Sequence, residues 1–145
     1  MDIFFDTSVL VAASERSHPQ HARAKSALVR VLSGKDKGFI SAHSIAEVYA
    51  VLTRLPVQPR IHSVEAARIL TENILPNFEI VAIGKRDYLE ALNVMTNGGL
   101  IGARIYDALL LQSAAKCGAE RIYTFNLTDF RQLAPDNLQA KISSP

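Results

Sequence analysis

Short β-branched and aromatic runs at residues 2–5, 38–41, 78–83 and 121–125 alternate with longer stretches whose apolar positions recur at helical spacing. The helical stretches are residues 7–14, 19–32, 44–55, 63–75, 86–96 and 103–117. Gly34, the pair Pro56 and Pro59, and Gly98 with Gly99 mark breaks between them. Strands that alternate with helices predict a parallel sheet covered by helices, an α/β fold. In such sheets ligands bind outside the carboxyl ends of the strands. Asp6, directly after the first strand, and the segment after Phe125 both reach that edge. Ile69, Leu70, Ile74 and Leu75 are assigned to the core.

Composition narrows the class. A chain of 145 residues with 48% apolar content can bury its own core, so residues 1–145 are expected to form one domain. There is no internal repeat, low-complexity tract or linker. Cys117 is the only cysteine and cannot form an internal bridge, and Met1-Asp2 opens the chain without a basic and apolar leader. A reducing, cytoplasmic location is expected. No apolar run approaches the roughly 20 residues of a membrane-spanning helix, so a soluble protein with no membrane partner is expected. Sixteen Lys and Arg against 14 Asp and Glu leave a net charge of +2. That balance alone does not argue for nucleic acid. If four acids are gathered at one site, however, the remaining surface is more basic than the total implies.

Four acids stand in settings that need a reason. Asp6 is followed by Thr7 and Ser8, so it is either a helix cap or a functional carboxylate at a strand end. Glu47 is the only charged residue from Ser44 to Thr53, in a helix apolar on nearly all sides. A buried carboxylate there requires a partner, either Arg54 or Arg104, or a bound cation. Asp107 is the only acid between Glu90 and Glu120 and begins an apolar helix. The helix dipole explains a negative charge at that end, yet the same position aims a carboxylate at the sheet edge. Asp129 follows the last strand, where it either caps a turn or joins the others, and Asn126 is a turn residue or a ligand.

Taken together the four acids suggest a metal site. Two like charges about 4 Å apart at an effective dielectric near 20 repel by about 4 kcal/mol, so a carboxylate cluster calls for a counter-charge. All-oxygen ligands favour Mg²⁺ or Mn²⁺. Such ions activate water and clamp a scissile phosphate, which points to phosphodiester hydrolysis.

At Asp6-Thr7-Ser8, Ser44-Ile45-Ala46-Glu47-Val48-Tyr49, Ile105-Tyr106-Asp107-Ala108-Leu109 and Thr124-Phe125-Asn126-Leu127-Thr128-Asp129-Phe130, the chain resembles the PIN domain family, and within it the VapC-type ribonuclease toxins of toxin–antitoxin pairs. The resemblance spans nearly the whole chain. It implies a three-layer α/β/α sandwich with a central, mainly parallel sheet. It also implies Mg²⁺- or Mn²⁺-dependent endonucleolytic cleavage of RNA, a cognate antitoxin and a homodimer. Asp6, Glu47 and Asp107 match three acidic positions of the family. Where many relatives have an aspartate this chain has Asn126, so Asp129 becomes the fourth candidate. Asp6, Asp107 and Asp129 are assigned to the principal metal and Glu47 to a second ion or the attacking water. Thr7, Ser8, Thr124 and Asn126 are candidates to orient the carboxylates. Arg104 is the first candidate for a phosphate contact, with Arg54 and Arg131 behind it.

Other readings compete. His18, His21, His43 and His62 show no zinc spacing and are assigned no chemistry. A haloacid-dehalogenase-type phosphoryl-transfer enzyme needs a second aspartate where this chain has Ser8. A receiver-type signalling module wants its aspartate after a middle strand and a lysine after a late one, and here Lys85 follows the third strand and Asn126 the fourth. A PIN nuclease of RNA processing without an antitoxin, or a non-catalytic PIN scaffold that binds RNA or protein, remains as the alternative within the family.

Overall fold

β1, Asp2–Phe5, lies in the middle of the molecule and is apolar on both sides. The computed structural model describes residues 1–145. β1 pairs in parallel with β2, Lys37–Ser41, on one side and with β4, Arg121–Tyr123, on the other. β3, Phe78–Val81, extends the sheet beyond β2, and β5, Ile142–Ser143, extends it beyond β4. The order is β3-β2-β1-β4-β5 with every pair parallel, so the chain winds outward one way from β1 and then returns to its other side. The gap beyond the carboxyl ends of β1 and β4 is therefore the switch point of the sheet, where such folds bind ligands.

Strand alternation divides the core between the two faces. Ile3, Phe5, Ile40 and Phe78 project to one face, against α1 (Thr7–Ser14), α2 (His21–Leu32), α3 (Ala42–Arg54) and α4 (Ser63–Arg68). Phe4, Phe39, Ile122 and Ile142 project to the other, against α5 (Lys85–Asn97), α6 (Arg104–Cys117), α7 (Leu127–Leu133) and α8 (Asp136–Gln139). Two apolar layers around one parallel sheet make the three-layer α/β/α sandwich, and explain why the strands read as continuous apolar runs. Gly38 is required by the packing of the first layer. A Cβ there would stand 2.5 Å from the Phe78 ring and 2.9 Å from Val31.

The helices follow local signals. Ser41 caps α3 by accepting from the His43 amide at 3.3 Å, and α6 ends at Gly118, whose φ of 69° a residue with a Cβ adopts only at a cost. Of the four expected core residues, Leu70 and Ile74 are buried, while Ile69 and Leu75 are half-buried.

Several boundaries differ from the sequence pattern. The helix expected over 63–75 is α-helical only to Arg68, and Ile69–Ile74 continue as π-helical turns. The strand expected over 121–125 stops at Tyr123. Beyond it the Phe125 amide donates to Ser8 Oγ and the Asn126 amide to Thr124 Oγ1, so side-chain oxygens replace a strand ladder. α2 starts at His21 rather than residue 19 because residues 15–21 are taken up by two hydrogen-bonded turns. The pattern did not predict α7, α8 or β5, each too short to show a period.

Candidate active site

The Asp6 amide donates to the Tyr123 carbonyl at 2.9 Å, fastening the end of β1 to β4 just where α1 begins. Its side chain is almost fully buried but makes no capping hydrogen bond to α1. It accepts instead from Ser8 Oγ at 2.6 Å and Thr124 Oγ1 at 2.7 Å. Burial pushes the Asp6 carboxyl up. Those two hydroxyls, and more weakly the nearby Thr7 and Ser8 amides, draw it back toward the charged form.

Glu47 reaches the same place from the middle of α3. Neither Arg54 nor Arg104 pairs with it. Arg54 turns back to the Ala50 carbonyl, and Arg104 holds Asp129 at 2.9 Å and also bonds Gln132. The neighbours of Glu47 are the Thr7 hydroxyl at 3.4 Å and His43 Nε2 at 3.3 Å. Despite that distance, His43 Nε2 lacks hydrogen-bond alignment and is the buried side-chain polar atom left without a partner. Burial raises the Glu47 carboxyl, His43 opposes the rise and the Asp6 charge adds to it.

Asp107, in the first turn of α6, is pushed up to about 7. Burial is the largest cause, followed by the charges of Asp6, Glu47 and Asp129, with Arg104 opposing. Asp6, Glu47 and Asp107 line one open cleft of about 390 Å³ at the switch point, together with Thr7, Ser8 and Asn126. None of the three acids has a Lys or Arg salt bridge.

Asp129 lies elsewhere. It sits in the first turn of α7, half exposed and paired with Arg104, and is not among the cleft walls, although its charge is felt at Asp107. Arg104 is correspondingly committed to protein partners. Arg131 reaches only the Ile142 carbonyl, at 3.4 Å.

No three Asp, Glu, His or Cys side chains form a ready-made metal cage. The donor chemistry nevertheless fits a hard cation: carboxylates and hydroxyls face the cleft, and Cys117 is not among its walls. The three acids would have to draw together around an ion, which would relieve the mutual repulsion that Asp107 registers.

The PIN domain family model matches residues 3–134. The chain belongs to the PIN domain family. Among curated PIN relatives, Ribonuclease VapC27 of Mycobacterium tuberculosis is 33% identical over 115 residues, 79% of this chain and 78% of that protein. Ribonuclease VapC40 of the same organism is likewise 33% identical over 115 residues, covering 79% and 80%. Among solved structures, VapC20 of M. tuberculosis, described as a Sarcin-Ricin loop cleaving toxin, superposes with a TM-score of 0.69 at 19% identity, covering 88% of this chain and 92% of that one. The VapBC2 structure from Rickettsia felis, bound to a promoter DNA fragment, gives 0.64 at 17% identity over 100% and 99%. At these identities the structures speak to the PIN fold alone.

Two histidines that the sequence reading set aside belong to the surroundings of this PIN cleft. His18 is one of its walls, stacked on Phe125, and His43 lies against Glu47 and stacks on Tyr106. The spacing from His43 to Glu47, one helical turn, was a visible signal. His18 had none, because a loop carries it to the cleft.

Proposed function

We propose that this PIN domain is a divalent-metal-dependent endoribonuclease, the toxin of a toxin–antitoxin pair, that hydrolyses RNA phosphodiester bonds. The observation that carries the reading is the convergence of Asp6, Glu47 and Asp107 on one cleft with no Lys or Arg partner. The names of the curated relatives, ribonucleases by description, support it. So does the likeness to a VapBC structure, which suggests a protein antitoxin as partner.

In this reading Asp6, Glu47 and Asp107 hold Mg²⁺ or Mn²⁺, and Asp129 acts from outside by keeping Arg104 in place. When bound, the ion neutralises the carboxylates, polarises the scissile phosphate and acidifies a water. The chain supplies the positioning. Ser8 and Thr124 both donate to Asp6 Oδ2 and so orient that carboxylate, while Thr7 reaches Glu47 more loosely, at 3.4 Å. Burial raises the Glu47 carboxyl, the direction that suits a group accepting a proton from the attacking water. Arg54 is exposed, has no acidic partner and lines the hollow adjoining Glu47, so it is the candidate phosphate contact. A homodimer and a single PIN unit over 1–145 complete the proposal. No helix is long and apolar enough to cross a membrane.

The deciding experiment compares wild type with Asp6→Asn, purified identically, on a structured RNA pool with Mg²⁺, with Mn²⁺ and with EDTA. Cleavage that needs metal and disappears in the variant is expected. Absence of any difference between the two proteins across a broad RNA set would refute the reading.

A further inference from the structure

Glu47 is a wall shared by two hollows. One is the acidic cleft, which also contains His18 and Phe125. The other, about 440 Å³, is lined by His43, Tyr106 and Arg54 among others. Each hollow thus carries an imidazole stacked on an aromatic ring. His43 and Tyr106 are nearly parallel, with centroids 5.2 Å apart and an interplanar angle of 13°. His18 and Phe125 are 6.4 Å apart at 27°.

In each pair one ring backs the other. Tyr106 is 45% exposed, with His43 stacked on one face. Phe125 packs partly against the core, and both His18 and Phe125 line the cleft. Plain core packing does not account for the first pair. It leaves a large aromatic ring outside and holds His43 Nε2 buried without a hydrogen-bond partner, an arrangement that costs free energy.

We propose that Tyr106, backed by His43, and His18, backed by Phe125, are stacking platforms for two nucleobases of a single-stranded RNA, one on either side of the acidic site. Bases freed from a duplex stack on Tyr, Phe and His rings with little regard to sequence, whereas paired bases offer no free face. An acidic cleft repels the phosphate backbone, so affinity must come from groups beside it. The two platforms and Arg54, which has no acidic partner, provide such groups. The proposal rests on the ribonuclease reading and adds how the strand is gripped: single-stranded or looped RNA, held by base stacking across the cleaved phosphate.

The test is equilibrium binding of short single-stranded RNAs carrying 2-aminopurine, in EDTA so that hydrolysis is off, read by anisotropy for affinity and by fluorescence quenching for stacking. Wild type should bind and quench. Tyr106→Leu and His18→Leu should each weaken binding by roughly 5- to 100-fold and relieve quenching, the span expected for one stacked base. Tyr106→Phe and His18→Tyr should retain both signals, with far-UV circular dichroism confirming that all four variants fold. A fully paired duplex should bind more weakly than the single strand. Leucine variants that bind and quench like wild type, or a wild type that binds without quenching, would overturn the platforms. If such a wild type still cleaves RNA, the ribonuclease reading survives. A wild type that neither binds nor cleaves RNA overturns both.

Discussion

Thr124 donates its hydroxyl to Asp6 Oδ2 across 2.7 Å, joining residues 118 apart in sequence at the meeting of β1 and β4. The Thr124 hydroxyl in turn accepts from the Asn126 amide at 2.9 Å, so one buried oxygen sets both the carboxylate and the turn into α7. Replacing it with the isosteric Thr124→Val removes the donor and leaves Ser8 as the remaining side-chain donor to Asp6. A loss of about 1–2 kcal/mol at neutral pH is expected, because a buried carboxylate loses one of its hydrogen bonds. Urea unfolding should show it as a lower midpoint with unchanged slope. An unchanged midpoint would mean that Asp6 needs no help from β4.

Asp107 makes metal-free stability depend on pH. Its carboxyl is raised from 3.8 to about 7, so between those values the folded protein binds more protons than the unfolded chain. Its contribution is therefore complete below about pH 4 and lost as pH rises through about 7. Partial exposure tempers the size. In EDTA, the thermal midpoint of wild type should fall relative to Asp107→Asn between about pH 4 and about pH 7. Added Mg²⁺ should offset that fall by binding the charged form. A gap between the two proteins that does not vary with pH would contradict this picture of Asp107.

Asp129 and Asp107 should separate in kinetics. Asp129 pairs with Arg104 and does not face the cleft, reaching Asp107 only through its charge, so Asp129→Asn should lower RNA cleavage by about 10- to 100-fold, the range for a group one step removed from the ligands. Asp107→Asn, placed on the cleft itself, should abolish detectable cleavage. Equal losses in the two variants would put Asp129 among the direct metal ligands.

Gly38 tests the packing beneath the site. A methyl group there would meet the Phe78 ring at 2.5 Å and Val31 at 2.9 Å, so Gly38→Ala should destabilise the fold by about 1–3 kcal/mol through overpacking. Denaturant unfolding would register it. A neutral result would show that the β2–β3 edge can spread without cost.

The local pattern determined the order of elements. Period-two and helical spacing, with glycines and prolines between, were enough to place β1 to β4 and the long helices to within a few residues, because those signals are written in neighbouring side chains. The same pattern marked Asp6, Glu47 and Asp107, since an acid at a strand end or in an apolar helix is conspicuous before any contact is known. What the chain could not state was pairing across distance. Whether Glu47 met Arg54, Arg104 or no cation depended on how α3 packs against α1, and the structure leaves it beside Thr7 and His43. Asp129 was the fourth candidate after the other three acids, and only the packing of α6 against α7 shows Arg104 beside it. His18, carried to the cleft by a loop, and the two-residue β5 had no period to betray them. Sequence spacing fixes which residues share an element. Only the sheet order, with β1 between β2 and β4, decides which elements bring their ends to one point, because that order follows from burying both faces of the sheet at once.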